Sequence, residues 1–240
     1  MTLELFDPPD DAEPAIEPLA DGAVVLRGFA RSVQDALLAD VREVIAAAPL
    51  RHLITPGGLR MSVAMTNCGA LGWVSDRRGY RYDSIDPGSG RPWPAMPASF
   101  RSIAMQAATR AGFDHFTPDA CLINRYLPGA KLSLHQDRDE QDFSAPIVSV
   151  SLGVPATFLF GGLKRADKAQ RVRLQHGDVV VWGGPSRLRF HGVLPLAEAE
   201  HPRLGAQRIN LTFRNAGSSM MAATGVRQPR PGKQNEVGYE

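Results

Sequence analysis

After Pro118 the chain breaks into eight short runs rich in Val, Ile, Leu, Thr and Phe: Cys121–Leu127, Lys131–His135, Ile147–Leu152, Thr157–Phe160, Arg171–Leu174, Val179–Trp182, Leu188–Val193 and Gln207–Phe213. Turn residues separate them, and runs this short at this spacing are strands of a sandwich or closed barrel rather than helices. The 23 glycines and 19 prolines are in keeping with a fold that turns often.

The first half reads differently. Ser32–Asp35 resembles a capping box and opens an apolar-periodic stretch through Val33, Leu37, Leu38, Val41, Val44 and Ile45 that must end before Pro49. A second helix fits Ala98–Ala111, with Phe100, Ile103, Ala104, Ala107 and Ala108 on one face and Gly112 as its stop. Between them Thr55–Pro97, carrying Trp73, Tyr80, Tyr82 and Trp93, is too long for a connector and is expected to be a functional lid or binding loop, or to hold short strands. The expected fold is α+β with a mainly β core: a double-stranded β-helix, or jelly roll, with helices packed on one face.

Residues 1–21 hold seven acids and no Lys or Arg, and are expected to form a poorly ordered arm. Residues 218–240 show no sustained apolar period and are expected to behave likewise. A single domain is expected over 22–217, with helices and lid in 22–117 and the jelly-roll core in 118–217. The acidic arm hides a basic body, which favours a polyanionic partner. No apolar run reaches the roughly 20 residues that span a bilayer, and the acidic start is unlike a leader peptide. A cytoplasmic monomer that binds no membrane is expected. Cys68 and Cys121 form no CxxC pair and are expected to pack in the core.

His135-Gln-Asp137 puts an imidazole and a carboxylate at i and i+2, on one face of a strand. With His191 from a later strand they compose a two-His-one-carboxylate triad, which suits Fe(II) and O2 chemistry. A second match, His176-Gly-Asp178, feeds the Val179–Val181 run and reads as a turn. Arg208–Arg214 alternates strictly: Ile209, Leu211 and Phe213 share one face, while Arg208, Asn210, Thr212 and Arg214 share the other. A guanidinium on such a face suits a carboxylate, held bidentately. Asn124 and Tyr126, also i and i+2, offer an amide and a phenol to the same pocket.

The segments Thr55–Gly58, Met61–Gly69, Asp119–Tyr126, Pro128–Asp137, His176–Gly184 and Asn210–Arg214 closely resemble those of the bacterial AlkB alkylation-repair dioxygenases, a likeness that runs from about Leu3 to Gly217. The resemblance implies Fe(II), 2-oxoglutarate and O2, with His135, Asp137 and His191 as iron ligands. It implies Asn124, Tyr126, Arg208, Asn210 and Arg214 around 2-oxoglutarate, with Arg208 on the distal carboxylate. Trp73 would stack on a flipped base opposite His135, Tyr80 and Tyr82 would be phosphate or lid contacts, and Asp139 and Arg165 would be polar residues of the base pocket. The implied activity is oxidative demethylation of N1-methyladenine and N3-methylcytosine in single-stranded DNA, and also in RNA or duplex DNA, with release of formaldehyde, succinate and CO2. The alternative within the superfamily is another methylated substrate, a tRNA or a protein. Arg189 stands where the resemblance leads one to expect an aromatic residue. On the residues alone two rivals stay open: a metal hydrolase or isomerase on a cupin-like barrel, and a non-catalytic nucleic-acid-binding protein.

Overall fold

The computed structural model describes residues 15–217. In chain order the strands and helices are β1 (Ile16–Ala20), β2 (Ala23–Leu26), α1 (Gln34–Ala47), β3 (Arg51–Ile54), β4 (Arg60–Gly69), β5 (Gly72–Asp76), β6 (Gly79–Asp83), α2 (Ala98–Arg110), β7 (Ala120–Tyr126), β8 (Leu132–His135), β9 (Ile147–Gly153), β10 (Ala156–Phe160), β11 (Gln170–Leu174), β12 (Val179–Trp182), β13 (His191–Val193) and β14 (Arg208–Arg214). Eight strands form one sheet in the order β1-β2-β12-β9-β14-β7-β4-β3, four form a second in the order β11-β10-β13-β8, and β5 pairs only with β6. From β8 onward the chain passes back and forth between the two larger sheets, a mainly antiparallel core consistent with a jelly roll.

The alternation of β14 explains the layering. Ile209, Leu211 and Phe213 turn to the helices, where Leu37, Val41 and Val44 of α1 and Phe100, Ile103 and Ala107 of α2 cover them. Phe100 meets Phe213 edge to face, ring centroids 5.9 Å apart. Truncating a ring buried there typically costs about 3–5 kcal/mol. The opposite face of the sheet packs against the smaller one through Ile147, Phe158, Phe160, Val172, Val180 and Trp182. Between the sheets, beside this apolar layer, lie the polar residues of β14.

Several expectations need correction. Ser32 does not cap α1: Arg31–Val33 form a 3-10 turn that runs into the helix, and no side chain caps its start. The second helix ends as expected, with Gly112 at φ +86°; Gly112 N–H donates to the Thr109 carbonyl and Phe113 N–H to that of Ala108, a Schellman stop. Within the arm expected over 1–21, Ile16–Ala20 is a strand paired with β2, and Arg27 Nη2 holds Glu17 at 2.6 Å. Residues 1–14 and 218–240 lie outside the described residues. Thr55–Pro97 holds strands, one of the two readings expected for it: β4 is a full strand of the large sheet beside β7, so that sheet also takes in chain before Pro118.

Candidate active site

β8 and β13 are paired so that His135 and His191 stand directly opposite each other. Asp137 follows two residues after His135, where the strand has ended. Its carboxylate lies between the imidazoles: Oδ1 is 3.7 Å from His135 Nε2 and Oδ2 is 3.8 Å from His191 Nε2. One donor atom from each of the three residues falls within 4.8 Å of the others. Each ring's Nδ1 is in hydrogen-bond contact with a backbone carbonyl, His135 with Ser133 at 2.8 Å and His191 with Arg189 at 3.1 Å. That arrangement fixes the tautomer that leaves both Nε2 lone pairs facing Asp137, as a metal ligand requires. Burial, reinforced by His135, pushes the His191 imidazole down to about 3, so it is neutral and ready to ligate at ordinary pH. For Asp137 burial alone would raise the carboxyl, but Arg214 and then the two imidazoles outweigh it and hold it well below the usual carboxylate range.

The polar face of β14 forms the floor beside this triad. Arg214 is engaged: its Nε and Nη2 donate to Asp137 Oδ2 at 2.9 and 2.6 Å. Arg208, six residues earlier on the same face, pairs with no carboxylate among the described residues. It is 2% exposed, and its Nη2 donates to Ser151 Oγ at 2.9 Å. Its Nε and Nη1 are buried without a hydrogen-bond partner. The guanidinium lies over the Tyr126 ring, 5.0 Å from its centroid. Between the arginines, Asn210 accepts from Asn124 Nδ2 at 3.3 Å and donates to Ser149 Oγ at 2.8 Å. Asn124 and Tyr126 stand opposite Asn210 and Arg208 in the β7–β14 register, as the i, i+2 spacing on each strand led one to expect. Asn124 Oδ1 is a further buried acceptor without a donor. A buried cation with two unsatisfied donors is costly to keep, and a small acid with a second carboxylate relieves that cost.

A cleft of about 810 Å³ opens over these groups. Trp73 and Tyr80 of the β5–β6 hairpin line it, their rings stacked 5.5 Å apart and 13° from parallel. Trp73 Nε1 donates to Asp139 Oδ2 at 2.9 Å. Arg165, exposed at the rim, donates to the Leu134 carbonyl at 2.8 Å and covers the Phe190 ring. Tyr82, also on the hairpin, lies deeper than Tyr80. It is 8% exposed and its hydroxyl donates to Glu140 at 2.8 Å. Arg189 does not occupy the cleft: it donates to the Gly161 carbonyl and lies over Phe160, fastening β10 from behind. His176 is remote from the triad, its Nδ1 accepting from Gly153 N–H and its Nε2 in contact with Gln34.

Two residues of the site escape sequence reasoning. Glu140 is buried between Arg187 Nη2, 3.1 Å away, and Arg214 Nε, 3.3 Å away, and Arg187 also donates to the Asp137 carbonyl at 3.1 Å. The only trace in the sequence is the charged run Arg138-Asp139-Glu140 after the first two ligands, which pattern alone assigns to the surface.

The donor set fits Fe(II), and the two unpaired donors of Arg208 beside it fit a dicarboxylate. Known proteins agree. Residues 22–214 match the family described as 2OG-Fe(II) oxygenase superfamily. The alpha-ketoglutarate-dependent dioxygenase AlkB of Escherichia coli is 61% identical over 215 residues, which is 90% of this chain and 98% of that protein. An AlkB homologue of Caulobacter vibrioides is 46% identical over 77% of this chain and 83% of its own. The solved structure of OsALKBH1 superposes with a TM-score of 0.74 at 31% identity, over 83% of this chain and 99% of that one. The chain therefore belongs to the 2OG-Fe(II) oxygenase superfamily and, within it, to the AlkB family.

Proposed function

We propose that the protein is an Fe(II)- and 2-oxoglutarate-dependent dioxygenase that removes methyl groups from the ring nitrogens of nucleic-acid bases, N1-methyladenine and N3-methylcytosine, acting on single-stranded DNA and also on RNA. The observation that carries this reading is Arg208, a fully buried guanidinium with two free donors a few residues along the same strand face from the guanidinium that holds Asp137. The nucleic-acid half is supported by relatives named as DNA N(6)-methyladenine demethylase and nucleic acid dioxygenase, and by the aromatic wall at the cleft.

When bound, iron with 2-oxoglutarate and O2 supplies the oxidising power that hydroxylates an N-methyl carbon, and the hydroxymethyl base then loses formaldehyde. The chain's own residues bind and orient. His135, Asp137 and His191 hold the ion and leave coordination positions open. Arg208 takes the distal carboxylate of 2-oxoglutarate, with Tyr126 packed beneath its guanidinium and Asn124 and Asn210 lining the path to the triad. Arg214 keeps Asp137 ionised and oriented, and its remaining donor surface meets the co-substrate. A base nitrogen inside a duplex is out of reach, so the substrate is a single strand or an extruded nucleotide. Trp73 is the platform on which that base stacks, Asp139 has a second carboxylate oxygen for an exocyclic amine, and Arg165 serves the phosphates. The β5–β6 hairpin is then the nucleotide-recognition lid, with Tyr80 on its exposed side and Tyr82 as its root. The protein works as a cytoplasmic monomer in this reading; among the described residues no helix is long and apolar enough to cross a membrane.

The test is to incubate the protein with an oligonucleotide carrying one N1-methyladenine and to weigh the product by mass spectrometry. Loss of one methylene only when Fe(II) and 2-oxoglutarate are both present is the expected result. Succinate formation without any change in the oligonucleotide would move the activity to another methylated substrate.

A further inference from the structure

The segment that supplies two of the ligands also grips the β5–β6 hairpin. Trp73 and Tyr82 face each other across that hairpin in direct register, and two consecutive carboxylates hold them, Asp139 on Trp73 Nε1 and Glu140 on the Tyr82 hydroxyl. The hairpin shares no strand ladder with the two larger sheets. Its outer attachments include Asn67, whose side chain clamps the Trp73 backbone with two 3.0 Å hydrogen bonds, Ser75, whose hydroxyl donates to the Ile54 carbonyl at 2.7 Å, and Trp93, whose Nε1 donates to the Asp83 carbonyl at 2.9 Å. Its attachment toward the cleft is this pair of acids.

Glu140 is the hub. Besides Tyr82 it faces Arg214 and Arg187, and those two arginines hold the Asp137 carboxylate and the Asp137 carbonyl respectively. Glu140 and both arginines are at most 7% exposed. A buried ionic cluster of this kind adds little net stability over apolar packing, so stability does not account for it. It does fix geometry: no polar atom of Asp137 is joined to Arg214 or Arg187 without Glu140 also touching that arginine.

We propose that Glu140, with Tyr82 and Asp139, is a positioning device that links the metal and co-substrate site to the hairpin, so that filling the site fixes Trp73 over the cleft. Binding of a dicarboxylate and an ion immobilises Arg214 and Asp137, and Glu140 and Asp139 pass that constraint to the two cross-strand partners of the hairpin. By reciprocity a base seated on Trp73 tightens the ion and co-substrate. This deepens the iron and 2-oxoglutarate part of the proposed function and rests on it, but not on which methylated molecule is the substrate.

Hydrogen exchange on the full-length protein, with and without Fe(II) plus 2-oxoglutarate in the absence of O2, tests the link without any nucleic acid. In the wild type, loading is expected to slow exchange both in β8 and β13, which carry the histidines, and in β5 and β6, by about fivefold or more. Glu140→Ala strands two buried arginines and is a poor probe. Tyr82→Phe keeps the ring and removes only the bond to Glu140; it should preserve the slowing in β8 and β13 and, with only the Asp139–Trp73 bond left, reduce it in β5 and β6. Glu140→Gln keeps an acceptor for Tyr82 but discharges the hub, and should reduce the hairpin response too. A hairpin response to loading that survives at wild-type size in Tyr82→Phe overturns the link, as does a wild type in which β8 and β13 respond and the hairpin does not. A wild type in which neither region responds overturns the link together with the iron and co-substrate reading.

Discussion

The sequence contains the pattern His-x-Asp twice, and the fold gives the two copies opposite duties. His135 and Asp137 sit at the end of β8, where the antiparallel partner β13 brings His191 face to face with His135. His176 and Asp178 sit in the turn before β12. There Asp178, 1% exposed, accepts from Gly28 N–H and Gln175 N–H and pairs with Arg27, while His176 receives the Gly153 N–H. One pair points donor atoms at a shared point between two sheets, and the other spends its polar atoms tying the β11–β12 turn to the N-terminal strands. Spacing makes two ligands possible, and the pairing of a second strand, which brings the third ligand, makes them a site.

Breaking the first pair should have the largest effect. His135→Ala, Asp137→Ala and His191→Ala are each expected to abolish 2-oxoglutarate turnover in a folded protein, because an open three-ligand site cannot keep its geometry with two. Succinate release is the readout, and a wild-type rate in any one of them would remove that residue from the triad. The Asp137 variant has an added cost, since it leaves the Arg214 guanidinium buried without its carboxylate partner.

Arg208 comes next. Arg208→Lys keeps the charge but gives up the planar fork, and the loss of one charge-assisted hydrogen bond, about 1.5–3 kcal/mol, should raise the 2-oxoglutarate concentration needed for half-maximal rate by roughly 10- to 100-fold. Iron affinity should be unaltered. An unchanged 2-oxoglutarate dependence would show that the two free donors of Arg208 serve something else.

Trp73→Ala should cost about 1–3 kcal/mol in engagement of the methylated base, the usual loss of one base–aromatic stack. Trp73 is half-buried and carries a hydrogen bond to Asp139, so some loss of stability is expected as well, but less than the roughly 3–5 kcal/mol of a core aromatic. Measuring melting temperature and turnover on the same samples separates the two. A large drop in melting temperature with unchanged activity per folded molecule would make Trp73 core.

The smallest effect is expected from the second His-x-Asp pair. His176→Ala removes an acceptor for Gly153 N–H and should cost about 1 kcal/mol of stability, seen as a modest fall in the denaturation midpoint, with iron binding and turnover intact.

What was legible in the sequence follows from the same physics. The strict alternation of β14 announces a strand with an apolar and a polar face, and the polar face does turn to the cleft; the i, i+2 pair Asn124/Tyr126 is legible for the same reason, while Asp137 lies just past the end of β8 and still meets His135. β4 was not legible as a strand, because Val63 to Cys68 are buried on both faces and no alternation marks them. Tyr80 and Tyr82 share a face, which sequence can tell, yet one is 43% exposed and the other 8%: depth along a hairpin depends on what its root packs against. Glu140 was hidden because its counter-ions, Arg187 and Arg214, lie 47 and 74 residues away in the chain and meet it only through the sheet pairing. Arg189 departs from the pattern that the resemblance implies, and its side chain goes to Gly161 and Phe160.

The most direct test of the contrast between the two motifs is a titration of 2-oxoglutarate into Fe(II)-loaded protein without O2, by calorimetry, on wild type, His191→Ala and His176→Ala. Wild type and His176→Ala are expected to bind one 2-oxoglutarate per chain with matching affinity, and His191→Ala to show no such binding. Binding that survives in His191→Ala, or vanishes in His176→Ala, would contradict the assignment of the site to His135, Asp137 and His191.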